Sequence, residues 1–353
     1  MNICFDGIGF SLQESGGISI YSEKVVAGVV RAGVPVKLWL FPGCEHNKSV
    51  ETLLALRKDF PAFEVVRVTR RSPLERLRAF RESLEPGSVF HSTYYRLPPK
   101  SARVRVVTTV YDFIHERRAS RARRAVLSFQ KRRAILRADA VVCISARTAA
   151  DVPRYVPEVD PRRIVVAPLG SDFRPIEGAV SAHGTFALFV GRRVAHKQFP
   201  MAVQAVARVK GLRLVIAGGG ELSAADRDTL AGLPAERWTA IPWVEPTQLN
   251  QLYSTALALL FPSVDEGFGL PVAEAASTGC PAITVRGGIP EDAQPLPELA
   301  AHSPAPEALA ALLLRLLNPA YRSEVRRRAL ASAANSGWDR TIGKLMDTYR
   351  ALA

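Results

Sequence analysis

Along the chain, apolar residues gather into short unbroken runs, and longer stretches with helical spacing lie between them. One series of runs is Ile3–Phe5, Val34–Leu40, Val65–Val68, Val89–His91, Val104–Val110, Ala140–Ile144 and Ile164–Ala167. A second is Phe186–Val190, Leu212–Ala217, Trp238–Ile241, Leu257–Phe261 and Ala282–Val285. Runs that stay apolar instead of alternating suit strands covered on both faces, as in parallel sheets, and the helices between them supply the crossovers. The pattern predicts an α/β chain of two Rossmann-like, doubly wound domains. Between the two series, the stretch from Pro168 through Pro175 to Gly184 is polar and rich in Pro and Gly, the composition of a linker. It puts the domain boundary near residue 178. Ligands of open α/β sheets bind outside the carboxyl ends of the strands, so two such domains are expected to face a central cleft.

Composition adds a localised charge. The 353 residues carry 47 Lys and Arg against 33 Asp and Glu, a net charge of +14. From Arg67 to Arg137 there are 19 basic and 5 acidic residues, and the remainder holds 28 of each sign. Arg117, Arg118, Arg121, Arg123, Arg124, Lys131, Arg132, Arg133 and Arg137 form a helical stretch without an acid, which would attract phosphates. Nucleic-acid binding would call for aromatic residues on the same face, and only Phe129 is present, so no nucleic-acid partner is expected. Anionic lipid, at about 1 kcal/mol per base near a membrane surface, fits the stretch better, with a solvated helix face as the plainer alternative. The start Met1-Asn2-Ile3-Cys4-Phe5-Asp6 has no basic and apolar leader pattern, and no run approaches the ~18 apolar residues of a spanning helix. The expectation is a cytoplasmic protein whose membrane contact is peripheral. Cys4, Cys44, Cys143 and Cys280 have no metal or redox spacing and read as reduced, buried thiols.

The strongest local signal runs from Phe261 to Ala275. A buried strand ends at Phe261, Gly267 and Gly269 permit close backbone approach, and Pro271 suits the first turn of a helix that continues through Glu274. Free N–H groups at that helix start can bind an anion. Glu266 and Glu274 can both point at hydroxyls of one ligand, although a solvated Glu266 and a Glu274 that only favours the helix dipole are the plainer alternative. Gly16-Gly17 follows the first strand and opens a helix, where backbone can approach a diphosphate or simply turn. Asp112 follows the run Val104–Val110 and can orient an acceptor hydroxyl or cap the next helix. Asp226-Arg227-Asp228 has the form of a metal-binding DxD but falls in a polar helical stretch and reads as a solvated face.

Glu266 and Glu274, eight apart around Gly267-Phe268-Gly269-Leu270-Pro271, resemble the EX7E motif of retaining nucleotide-sugar glycosyltransferases of the GT-B fold, glycosyltransferase family four. Gly16-Gly17-Ile18-Ser19-Ile20-Tyr21 is similar to that family's amino-terminal GGIxxY loop. Val110-Tyr111-Asp112-Phe113-Ile114-His115-Glu116 looks like the VYDxIxE segment of a bacterial, mannosyltransferase-like branch. Ile144-Ser145-Ala146-Arg147-Thr148, Pro168-Leu169-Gly170, and Val190-Gly191-Arg192 with Lys197 match further motifs, collinear over nearly the whole chain.

The resemblance implies a GT-B enzyme that moves a hexose from a nucleotide sugar, GDP-mannose or a related GDP-sugar being favoured. The acceptor would be a hydroxyl of a glycan or lipid-linked glycan, in polysaccharide or lipopolysaccharide synthesis at the inner membrane face, with no metal cofactor. Residues 179–337 would bind the donor, residues 1–178 would face the acceptor, and 338–353 would cross back to the first domain. Arg192 and Lys197 would hold the leaving diphosphate, with Arg193 competing for the place of Arg192. Glu266 would bind the transferred sugar, Glu274 the ribose, and Gly267, Phe268, Gly269 and Leu270 the sugar and diphosphate through backbone. Gly16 and Gly17 would lie against donor phosphates or acceptor, and Asp112 would act on the acceptor hydroxyl. His115 and Trp243 are further candidates, the latter because Ile241-Pro242-Trp243-Val244 stands where relatives place a loop near the base. UDP-sugar use, a catalytically silent binding subunit and an epimerase on the same fold remain the rival readings.

Overall fold

The computed structural model describes the chain apart from residues 13, 15, 70–74, 119–120, 179–185 and 335 and the side chains of 121–127. It divides into two compact units, one of Met1–Leu169 with Trp338–Ala353, the other of Gly170–Gly337.

In the first unit the strands are β1 (Ile3–Asp6), β2 (Val36–Leu40), β3 (Phe63–Arg67), β4 (Val89–Ser92), β5 (Arg105–Val110), β6 (Ala140–Cys143) and β7 (Ile164–Val166). They form one sheet in the order β3-β2-β1-β4-β5-β6-β7, every pair parallel. The connecting helices include α1 (Gly17–Arg31), α2 (Lys48–Leu56), α3 (Ile114–Arg118), α4 (Arg121–Arg137) and α5 (Ala146–Tyr155). β1, β4 and β6 are buried at every position, which explains runs that show no alternation. A short helical turn, Gly7–Ser11, lies between β1 and the Gly16-Gly17 loop.

The second unit contains β8 (Phe186–Val190), α6 (Phe199–Ala207), β9 (Arg213–Ala217), α7 (Ala224–Leu230), β10 (Trp238–Ile241), α8 (Pro246–Thr255), β11 (Ala258–Leu260), α9 (Leu270–Thr278), β12 (Ala282–Val285), β13 (Ala300–Ala301), α10 (Pro306–Leu316) and α11 (Pro319–Ala333). Its parallel sheet has the order β10-β9-β8-β11-β12-β13. Alternate strand residues serve two apolar layers: Ala187, Phe189, Leu214, Ile216 and Leu260 pack on one face, and Leu188, Val215, Leu259 and Phe261 on the other. β13 was not expected from the sequence, because two alanines carry no strand pattern.

In both sheets the first strand of the unit is central, and chain order reverses between β1 and β4 and between β8 and β11. Such switch points are where open α/β sheets receive ligands. The last helix, α12 (Trp338–Leu352), belongs to the first unit. Trp338 faces Tyr21 with ring centroids 6.3 Å apart, and Ile342 fills the space a Cβ on Gly28 would need.

The units divide at Leu169–Gly170 and not near residue 178. The early part of the expected linker is tied into the second unit, where Phe173 lies 5.9 Å from the Tyr253 ring and the Arg174 N–H donates to Asn250 Oδ1 at 3.2 Å. Its later part, 179–184, lies outside the described residues.

Candidate active site

At the β8–β11 switch point the loops after both strands bring charged groups together. Lys197 closes a helical turn (Ala195–Lys197) beyond β8, and Glu266 lies in the loop beyond β11. Lys197 Nζ is 3.9 Å from Glu266 Oε1 and 5.2 Å from the centroid of the Phe261 ring. His196 Nε2 is also 3.9 Å from Glu266 Oε1, and the Ser263 hydroxyl donates to that oxygen at 2.8 Å. The two loops are joined through main chain as well, since the Val264 N–H donates to the His196 carbonyl at 2.9 Å.

α9 starts beside them. Gly269 adopts φ +101°, a left-handed conformation that a Cβ would strain, and this bend lets Leu270 and Pro271 start the helix. The N–H groups of Phe268, Gly269 and Leu270 donate to no protein acceptor among the described residues. One turn on, Glu274 is buried and accepts a hydrogen bond from the Tyr253 hydroxyl at 2.9 Å. Burial pushes its carboxyl up to about 7, against the pull of the Tyr253 hydrogen bond and the Lys197 charge. Arg192 is exposed and has no ion pair or hydrogen bond among the described residues.

Arg193 does not have the freedom expected of a phosphate-binding cation. Its guanidinium is nearly buried, bonds Asp226 Oδ2 through Nε at 2.9 Å, and donates to the carbonyls of Gly218 (3.1 Å), Gly219 (3.3 Å), Gly220 (2.9 Å) and Glu221 (2.7 Å). Asp226 is therefore no solvated residue, although Arg227 and Asp228 of that triplet are exposed. The glycine run after β9 went unread in the sequence. Gly218, Gly219 and Gly220 take φ values of +72°, +82° and +80°, and a Cβ on Gly219 would lie 2.5 Å from the Gly191 carbonyl oxygen. Three consecutive glycines directly after an apolar run were the available signal. The Gly218 and Gly220 N–H groups donate to the carbonyls of Ile241 (2.8 Å) and Pro242 (3.1 Å), so the run also holds the end of β10, where Trp243 is 61% exposed.

In the first unit, Gly16 precedes α1 and Gly17 opens it, with nothing within 4 Å of a Cβ on Gly17. Asp112 turns its Oδ1 to the Ile114 N–H at 2.9 Å, the capping role that stood as the alternative to acceptor chemistry. His115 is half-buried and has no hydrogen bond or ion pair among the described residues. The basic stretch is less bare than its sequence. Lys131 is buried on Glu116 at 2.9 Å, Arg117 pairs with Asp151 at 2.6 Å, and Arg132 pairs with Glu158. Acids distant in sequence neutralise these bases. The side chains of Ala122, Val126, Arg121, Arg123 and Arg124 lie outside the described residues. Phe129 stands 63% exposed with Arg133 over its ring at 5.7 Å.

Two buried polar groups of this unit escaped sequence reading. Arg96, fully buried, bridges Asp6 at 3.3 Å and Glu75 at 3.0 Å at the carboxyl ends of β1 and β4. His91, also fully buried, lies between Tyr349 Oη (2.5 Å to Nδ1) and Thr109 Oγ1 (2.8 Å to Nε2), which fastens α12 to β4.

Family comparisons agree with this architecture. Residues 16–170 match the model described as glycosyl transferase 4-like domain, and residues 185–319 match glycosyl transferases group 1. The chain is a GT-B glycosyltransferase of the family-four type. This glycosyltransferase is 28% identical to a D-inositol 3-phosphate glycosyltransferase of Acidothermus cellulolyticus, over 96% of this chain and 86% of that protein. A protein of the same name from Mycolicibacterium paratuberculosis is 35% identical over 54% of this chain, which spans about half of that relative's length (48%). Among solved structures, sucrose-phosphate synthase from Thermosynechococcus elongatus superposes with a TM-score of 0.74 at 19% identity, covering 100% of this chain and 99% of the other. The Anabaena HepE protein in complex with UDP and glucose gives 0.72 at 14% identity, covering 99% of this chain and 100% of the other. At these identities the structural likeness concerns the fold. Among the described residues no helix is long and apolar enough to cross a membrane.

Proposed function

We propose that this glycosyltransferase moves a hexose from a nucleotide sugar to a hydroxyl of a glycan or lipid-linked glycan, with retention at the anomeric carbon and without a metal cofactor. The grouping around Glu266 carries the reading: an ammonium, a held carboxylate and the unpartnered N–H groups at the start of α9 share one switch point. As the glycosidic bond breaks, the leaving nucleoside diphosphate gains negative charge. A fixed cation and aligned N–H dipoles stabilise that charge without reorganising during the reaction. Lys197 and Phe268–Leu270 supply them, and the exposed Arg192 would add a second cation. Glu266, oriented by Ser263, accepts from hydroxyls of the transferred sugar, and Glu274 accepts from the ribose. Attack by the acceptor on the face that the diphosphate leaves gives retention.

The segment Val110–Glu116 favours a GDP-sugar such as GDP-mannose. HepE's complex with UDP and glucose supports a UDP-sugar as the second reading. The relatives named for D-inositol 3-phosphate support a phosphorylated acceptor, in keeping with the basic stretch. We further propose that α4 docks on anionic lipid at the cytoplasmic face of the membrane through Phe129 and Arg133, close to where a lipid-linked acceptor arrives. The test is incubation with UDP-glucose or GDP-mannose and either D-inositol 3-phosphate or a lipid-linked glycan, following free nucleotide and the anomeric configuration of the product. One donor should turn over with retention, and Lys197→Ala should lower turnover roughly 100-fold or more with an unchanged circular dichroism spectrum. Donor binding without turnover would leave a silent binding subunit, and altered free sugar without acceptor would indicate an epimerase.

A further inference from the structure

We infer that Arg193 and Asp226 are positioning residues: together they lock Gly218–Gly220 into the shape on which the nucleoside end of the donor rests, and neither touches the diphosphate. This rests on the nucleotide-sugar reading above and gives Arg193 a different task from the phosphate contact its sequence position suggests.

Three successive glycines in the left-handed region would sample many other conformations if nothing held them. One guanidinium holds them here. Its planar fork satisfies the run of carbonyls from Gly218 to Glu221, which the single ammonium of a lysine cannot span. Asp226 fixes the fork through Nε, and the same Oδ2 accepts from the Ser223 N–H (2.9 Å) and hydroxyl (2.8 Å) at the start of α7. The far end of the loop is thereby anchored to a helix. The Arg193 and Asp226 side chains are only 5% and 13% exposed, so an incoming phosphate would have to break existing bonds to reach the guanidinium.

The loop itself retains what a nucleoside can use. The Gly219 N–H donates to no protein acceptor among the described residues. The exposed Trp243 indole lies 3.9 Å from where a Cβ on Gly220 would be. A backbone donor on Gly219 and, at the next residue, an indole with no side chain in front of it suit a flat base and its sugar.

The test compares Arg193→Lys and Asp226→Asn with the wild type in calorimetric binding of UDP, GDP, uridine and guanosine, in KM against kcat for the donor, and in amide hydrogen exchange of Gly218–Glu221. Asparagine keeps an acceptor for Ser223, so α7 retains its cap. Both variants should bind nucleoside and nucleoside diphosphate about tenfold more weakly, the loss of about one charge-assisted hydrogen bond. KM should rise far more than kcat falls, and the Gly218 and Gly220 amides should exchange faster. A loss confined to the diphosphate in Arg193→Lys, with Asp226→Asn at the wild-type value, would mean direct phosphate contact and overturn the inference. Unchanged amide protection in both variants would overturn the clamp itself. A wild-type protein that binds neither diphosphate would overturn the nucleotide-sugar reading and with it the ligand named here, an outcome distinct from failure of the clamp.

Discussion

Glu274→Gln should make the protein more stable at alkaline pH, although it removes a group proposed to bind the donor. Glu274 is 8% exposed, and burial raises its carboxyl from 4.5 in the reference state to about 7 in the fold. Between those values the folded chain holds a proton that the unfolded chain has released, so stability falls as pH rises through this window. At 1.36 kcal/mol for each pKa unit the penalty reaches about 3 kcal/mol by pH 8 and is about 1 kcal/mol at pH 5. Glutamine keeps an oxygen that accepts from Tyr253 but never ionises. Any fixed effect of its amide N–H groups is the same at both pH values, so the difference between them isolates the charge. The assay is scanning calorimetry of wild type and variant at pH 5 and pH 8. At about 2–4 °C per kcal/mol for a unit of this size, the variant's advantage in Tm should grow by roughly 4–8 °C between the two. An advantage that stays constant would refute the reasoning, because it would show that Glu274 is not held near neutrality by burial.

His91 reverses the sign. Burial lowers its ring from 6.5 to about 3, so the unfolded chain takes up a proton first, and stability falls as pH drops below 6.5. From pH 7 to pH 5 the wild type should lose about 2 kcal/mol more than His91→Gln in urea titrations, and parallel losses would exclude the neutral buried imidazole as the cause. For α4, the protein should float with vesicles containing anionic lipid and not with neutral ones, and Phe129→Ser with Arg133→Gln should reduce flotation several-fold. Equal flotation on both vesicle types would dismiss the docking face.

The two doubly wound sheets were legible because burial on both faces writes itself into a strand as an unbroken apolar run, as in Leu188–Val190 or Val141–Cys143. The switch-point loops were legible for a related reason. Ligands of open α/β sheets meet the loops directly after the strands, so the candidates Glu266, Gly269, Glu274 and Lys197 could be picked by counting from Phe261 and Val190. β13 escaped because two alanines pack by position and carry no pattern of their own.

What local sequence could not carry was the partner of each charge. Arg192 and Arg193 are adjacent and chemically identical, yet one is exposed and the other is enclosed by Asp226 and four carbonyls. The acid-free stretch 117–137 reads as bare positive charge, but Glu116, Asp151 and Glu158 meet three of its bases. Likewise Asp6, Glu75 and Arg96 become one buried cluster only when β1 and β4 lie side by side. The sequence determined the architecture and the addresses of the candidate site, because burial and turn chemistry act over a few residues. The tertiary structure alone decided which ionic groups are engaged and which can meet a ligand, because a charge is neutralised by whatever the fold brings within a few ångströms, however distant along the chain.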